Sequence, residues 1–252
     1  AAAVVNVVGN GGVNGAQRSN VVNISSGPVN GFQGSGVFNI ADGLVDGGQG
    51  AGVFNISSGS RGFQGAGVFN INDEGSHGFQ GAGVFNINEG NAYGAQSAGV
   101  FNITEGTVAG IQMAGVFNAA DRVEGGQVSL VNVSGDIKGA QIGLVNIGRD
   151  VEGIQAGLIN ISRDHKGIPI GLLNLSQTGI KSMSGWVDDL GYAYGSLEIG
   201  TRNFYTLLYG GAPVDNWETR LSLGAGFGYQ LNLEPMFINF DISNRITAES
   251  GS

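Results

Sequence analysis

A motif of the form G-x-Q-x-x-G-V-F-N-I returns every 15 or 16 residues between Gly15 and Asn118, then contracts to G-x-Q-x-G-L-V-N-I with a 14-residue step. Its asparagines are Asn6, Asn23, Asn39, Asn55, Asn70, Asn86, Asn102, Asn118, Asn132, Asn146, Asn160 and Asn174. A period this regular defines a stacked repeat protein, in which each unit packs against its neighbours and the fold grows in one dimension.

A unit of 14 to 16 residues holds two short strands and two turns. In a meander of hairpins, identical residues lie two strands apart and never touch. In a parallel stack they lie about 4.8 Å apart and pack like on like. Recurrence of the same residue at the same position therefore favours the stack. The expected fold is all-β: a β-solenoid of 14–16-residue coils followed by a small antiparallel β-meander. Eleven coils would make a rod about 50 Å long. Phe38, Phe54, Phe69, Phe85, Phe101 and Phe117 should form one continuous column, read as the core. Asn39, Asn55, Asn70, Asn86, Asn102 and Asn118 should form an amide ladder, and Gln33, Gln49, Gln64, Gln80 and Gln96 a second. In the short repeats Phe gives way to Val, Ile or Leu, which narrows the coil.

Composition supports this and excludes several classes. Glycine supplies 48 of 252 residues, without the triplet period of collagen. Hydrophobic content of 41% against 12% charged residues is the opposite of a disordered chain. A glycine every few residues would cost a helix about 1 kcal/mol each. The net charge of −9 leaves no basic surface for nucleic acid. The chain has no cysteine, which removes disulfides and thiolate chemistry. No apolar run is long enough for a transmembrane helix. The chain opens on Ala without a charged-then-apolar segment, as expected of a mature or partial form with any export signal removed.

Three regions follow: a degenerate N-terminal repeat over 1–14, the β-solenoid repeats over 15–180, and an aromatic antiparallel β unit over 181–252. The last contains both tryptophans and four alternating segments, Gly191–Gly200, Arg202–Gly211, Trp217–Asn232 and Met236–Arg245. The turn between the second and third is Ala212-Pro213-Val214-Asp215-Asn216. Pro169, which replaces the motif Gln, should mark the end of regular stacking.

Candidate chemistry is sparse, and no residue is assigned a catalytic or cofactor-binding role. Asp42, Asp73, Glu89, Glu105 and Asp121 lie three residues past a motif Asn. They read as a solvated acidic edge, with a row of weak Ca²⁺ sites as the one metal reading they offer. Arg149 with Asp150, and Arg163 with Asp164, read as local charge pairs. His77 and His165 stand alone and read as surface turn residues. Asp188-Asp189 after Trp186 is a candidate polar site, but adjacent strand residues face opposite sides and the pair reads as a turn.

The passage of GFQGAGVFNI into GAQIGLVNI, GIQAGLINI and GIPIGLLNL resembles an uncharacterised family of bacterial surface-repeat proteins from spirochaetes and other bacteria with an outer membrane. The likeness continues through Trp186-Val187-Asp188-Asp189-Leu190-Gly191-Tyr192 and Gly200-Thr201-Arg202-Asn203-Phe204-Tyr205. It implies export to the cell surface, outer membrane or periplasm, and supplies no catalytic residues. The resulting expectation is a non-enzymatic envelope protein, a rigid β rod that presents or docks to a partner. Expected partners are other envelope proteins or further copies joined through the C-terminal unit, with membrane association open and nucleic acid excluded. One alternative is an outer-membrane β-barrel with the repeats as hairpins. Another is a glycan-active or glycan-binding β-helix.

Overall fold

A computed structural model describes residues 3–215, 220–234 and 236–249. Trp217 and the turn residue Asn216 lie outside the described residues. The fold is all-β, with no helix among the described residues. A parallel β-solenoid of about 11 turns is followed by an antiparallel sheet of 5 strands. The chain divides into two compact units, Ala1–Gly148 and Arg149–Ser252.

In the first unit every coil repeats the register of the one before. Phe38 pairs with Phe54, Asn39 with Asn55, Gly47 with Gly62 and Gln49 with Gln64. The Ala3–Val8 strand joins the same stack, with Asn6 opposite Asn23. Parallel pairing of successive repeats excludes their arrangement as hairpins of a barrel. Coils of unequal length are reconciled at both edges: on the Gly-rich edge the short coils drop a residue between Val128 and Val131, which pair with Met113 and Phe117, and the rest is taken up at the acidic turn. The register slips between Ala41 and Leu44, and again between Thr104 and Thr107, so the extra residue bulges there and leaves both walls aligned.

The interior is polar. The six asparagines from Asn39 to Asn118 are 0% exposed. Each Nδ2 donates to the Oδ1 of the next coil, as Asn39 does to Asn55 at 2.8 Å and Asn55 to Asn70 at 2.9 Å. The same amide reaches the opposite wall: Asn39 Nδ2 donates to the Gly50 carbonyl at 2.9 Å, and Asn70 Nδ2 to that of Gly81 at 2.9 Å. The glutamines form a parallel ladder of reversed direction. Gln49 Nε2 donates back to Gln33 Oε1, Gln64 to Gln49 and Gln80 to Gln64, each at 2.8 Å. At the end of the interior nearer the acidic turn, small apolar side chains such as Val29, Val45, Val108 and Val123 take over, except in the middle coils, where buried Asn72 and Asn88 bond to Ser60 and Ser76 and to Gln64 and Gln80.

The phenylalanines are therefore not the core. Phe38, Phe54, Phe69, Phe85, Phe101 and Phe117 are half-buried on the outer side of the same strand. Successive rings from Phe38 to Phe101 stack at 4.7 to 4.9 Å, their planes nearly parallel. Alternation forces Phe69 and Asn70 to opposite sides. Buried amides are tolerated only when their hydrogen bonds are met, which the ladder achieves from both directions. The rings obtain their burial from the coils above and below.

Glycine is demanded where coils approach most closely. At Gly47, φ is 130° and an added Cβ would sit 2.1 Å from the Gly31 carbonyl oxygen. At Gly67 on the opposite edge it would sit 2.1 Å from the Gly52 oxygen.

In the second unit the last coils keep this register: Ile159 pairs with Leu173 and Asn160 with Asn174. Pro169 lies opposite Gln155 and brings no side-chain amide, so the glutamine ladder stops while the asparagine ladder runs one coil further. The antiparallel sheet follows, with strands Lys181–Val187, Tyr192–Gly200, Phe204–Pro213, Arg220–Leu233 and Met236–Glu249 in sequential order. It has one more strand than the four segments of alternating sequence. Lys181–Val187 hides from a pattern reading because Ser182, Ser184 and Gly185 dilute its alternation. The sheet closes over the last coils: Ile180 N donates to Thr201 O at 3.1 Å, and Thr206 Oγ1 to Leu172 O at 3.0 Å.

Candidate functional site

The solenoid sorts charge by edge. In the first unit every charged side chain except Arg18 lies between a motif Asn and the next motif Gly, on the turn edge. Asp42, Asp73, Glu89, Glu105 and Asp121 are all exposed there. No group of three or more metal-ligating side chains gathers among the described residues. The opposite edge is built from Gly, Ala and Ser, and beside it Val100, Val116, Leu130 and Leu144 stand exposed in a column.

Charge pairs on the turn edge join neighbouring coils rather than sequence neighbours. Arg122 meets Asp136 at 3.2 Å, and Lys166 meets Glu152 at 3.7 Å. Arg163 is paired with Asp150 of the preceding coil, not with Asp164. Asp164 instead takes a two-point contact from Arg202 of the sheet, at 2.7 and 2.8 Å. That guanidinium, with help from Thr178, holds the Asp164 carboxyl below its ordinary range.

His165 is not a surface residue: it is 1% exposed. It falls 14 residues after Val151, itself 1% exposed, and so occupies the buried aliphatic position of its coil. Its Nδ1 accepts from Gly167 N at 3.1 Å, so the neutral ring carries its proton on Nε2. Burial pushes its pKa down to about 4. His77 is exposed and stacks on Tyr93 with ring centres 4.4 Å apart.

The largest concentration of chemistry lies on one face of the antiparallel sheet. A cleft of about 470 Å³ opens there. Trp186 stacks on Tyr194 with ring centres 5.3 Å apart, and Tyr209 meets Tyr194 edge-on at 5.7 Å. Asp188 closes the turn by accepting from Leu190 N at 3.0 Å and Tyr192 N at 2.9 Å. Arg245 Nη1 then bridges Asp188 Oδ2 at 2.9 Å and the Tyr194 hydroxyl at 2.7 Å. Glu198 accepts from Ser184 at 2.9 Å, from Ser196 at 3.3 Å and from Ser182. The aromatic rings lie down over glycines. An added Cβ would be 2.3 Å from the Tyr194 ring at Gly211, 2.2 Å from Tyr209 at Gly224 and 2.1 Å from Tyr205 at Gly228. Of this cleft the sequence singles out Asp188 after Trp186, as a candidate polar site read as a turn. Its partner Arg245 is 57 residues away, beyond any local pattern.

Fold and site together define a parallel β-solenoid repeat protein that ends in a two-faced antiparallel sheet. No family profile, curated protein or solved structure matches the chain.

Proposed function

We propose that this is a non-enzymatic structural and binding protein of the bacterial envelope, related to the surface-repeat proteins its motifs resemble. The coils act as a rigid spacer, and the protein works through surfaces rather than a catalytic centre. The observation that carries this reading is the segregation of charge. The solenoid turns one charged edge outward and leaves its other sides apolar or small, as suits an element that lies against a partner or a lipid boundary. Fractionation of the native cells tests it. The protein should sediment with the envelope and resist release by high salt; recovery in the cytosolic fraction would refute the reading.

The cleft on the sheet favours a second reading, glycan binding. Trp186, Tyr194 and Tyr209 offer apolar ring surface beside the hydrogen-bonding groups of Asp188, Glu198 and Arg245, the combination that holds a sugar ring. Binding to a glycan array that is lost in Trp186→Ala supports it. An array without a saccharide ligand removes it and leaves the spacer role standing.

A further inference from the structure

We infer that the antiparallel sheet is a lipid-facing wall, with its uncharged face against bilayer hydrocarbon and its polar face toward a watery interior. The inference rests on the envelope reading and supplies the partner for one surface of it.

The first ground is an inverted burial pattern. Residues opposite one another in an antiparallel sheet share a face. One row runs Met183, Leu197, Leu208, Ala225, Asn244; the adjacent row, on the other face, runs Ser184, Ser196, Tyr209, Gly224, Arg245. A sheet built for water shelters the first kind of row and exposes the second. Here Ser196, Glu198 and Ser222 on the polar face are buried together with Tyr194, Tyr205 and Leu207 of that face, whereas on the apolar face Thr206, which meets the coils, is buried but Met183 and Ile242 are 85% and 84% exposed. The polar groups close on one another: Glu198 is satisfied by serines, and Arg245 by Asp188 and Tyr194.

The second ground is the absence of charge. Among the described residues, the apolar face has one charged side chain, Lys181, at the very start of the first strand. Protein interfaces are framed by a polar rim. This face instead runs apolar along both long strands, from Leu221 to Leu233 and from Met236 to Ala248, interrupted by Asn244 and the Tyr229 hydroxyl. Phe204, Tyr229 and Phe240 line up across three adjacent strands, the arrangement of an interfacial aromatic girdle.

The third ground is length. A tilted strand crosses hydrocarbon in about 9–11 residues. The last four strands have 9, 10, 14 and 14 residues. Five strands do not close a barrel, for which about eight are needed. An open edge is not tolerated in lipid, so the two outer strands, Lys181–Val187 and Met236–Glu249, pair with further strands when the sheet is inserted.

The lack of native cysteine makes the test clean. Single cysteines replace Leu208, Phe227 or Ile242 on the apolar face, and Ser184 or Ser243 on the polar face. Each carries an environment-sensitive fluorophore, and the full chain is reconstituted into vesicles of phosphatidylethanolamine and phosphatidylglycerol. We expect blue-shifted emission and several-fold quenching by brominated lipid at the three apolar positions. At the two polar positions we expect quenching by aqueous iodide instead. Leu197→Cys substitutes for any variant that loses its β circular dichroism. Absence of lipid quenching at the apolar positions, as when a protein partner or second copy covers the face, overturns the inference; so does equal lipid quenching on both faces. The envelope reading fails separately, by cytosolic recovery of the native protein.

Discussion

The coils of the first unit and the antiparallel sheet of the second both put polar groups inside and apolar groups outside, and they reach that state by opposite means. In the coils each residue meets its own copy, so a single amide, repeated, satisfies itself as donor and acceptor. In the sheet each residue meets a different one, so satisfaction comes from complementarity: a serine for a carboxylate, an arginine for an aspartate, a glycine under a ring. The coils are specified by repetition and damaged at any repeated position. The sheet is specified by particular pairs and is indifferent elsewhere.

The most severe break in that contrast should come from Asn70→Leu. It strips Asn55 Nδ2 of an acceptor and Asn86 Oδ1 and the Gly81 carbonyl of a donor. A loss of ~3–5 kcal/mol is expected in denaturant unfolding. Gly67→Ala comes next, because its Cβ collides with the backbone of the preceding coil; about 3 kcal/mol should be lost. The matching change in the sheet, Gly195→Ala, meets nothing within 4 Å and should cost no more than about 0.5 kcal/mol. Equal costs would erase the distinction between the two regions.

Acid should act through His165. Its pKa in the folded protein is about 4, below the ordinary 6.5, so its neutral burial is fully stabilising above pH 6.5. That contribution shrinks as pH falls toward 4, by about 2–3 kcal/mol. His165→Val restores the aliphatic residue of that position and should remove this part of the pH dependence, as read by melting temperature between pH 7 and 4. The smallest effect belongs to Arg202→Ala, an exposed pair expected to contribute at most ~1 kcal/mol. Because Arg202 lowers the Asp164 pKa, its contribution is present above the ordinary carboxylate range and disappears as pH falls through the depressed value. Comparing the melting temperatures of variant and parent at neutral and strongly acid pH checks the sign.

The stack was legible because identity at a fixed step has no other economical cause, and the register of Phe38 on Phe54 and Asn39 on Asn55 follows directly. Which side faced inward was not legible. Alternation divides Phe69 from Asn70 but is symmetric between in and out, and hydrophobicity alone chose Phe. The deciding quantity, whether a buried amide is satisfied in both directions, appears only once the coils are in contact. His165 left a usable signal: on the 14-residue step it takes the position of Val151, which places it in the interior of its coil. The cleft of Trp186, Tyr194, Asp188 and Arg245 left only the Asp188 turn after Trp186 as a signal, because its parts come from three strands with unrelated local sequences.

The two ladders in the first unit point in opposite directions, asparagine amides donating forward and glutamine amides donating back. Aligned amide dipoles add with each unit, as they do along a helix. Two opposed rows cancel. Appending a coil therefore builds up no electrostatic bias between the ends. Duplication or loss of a repeat leaves the two opposed amide rows in balance, and only the charge carried on its turn alters the field of the stack.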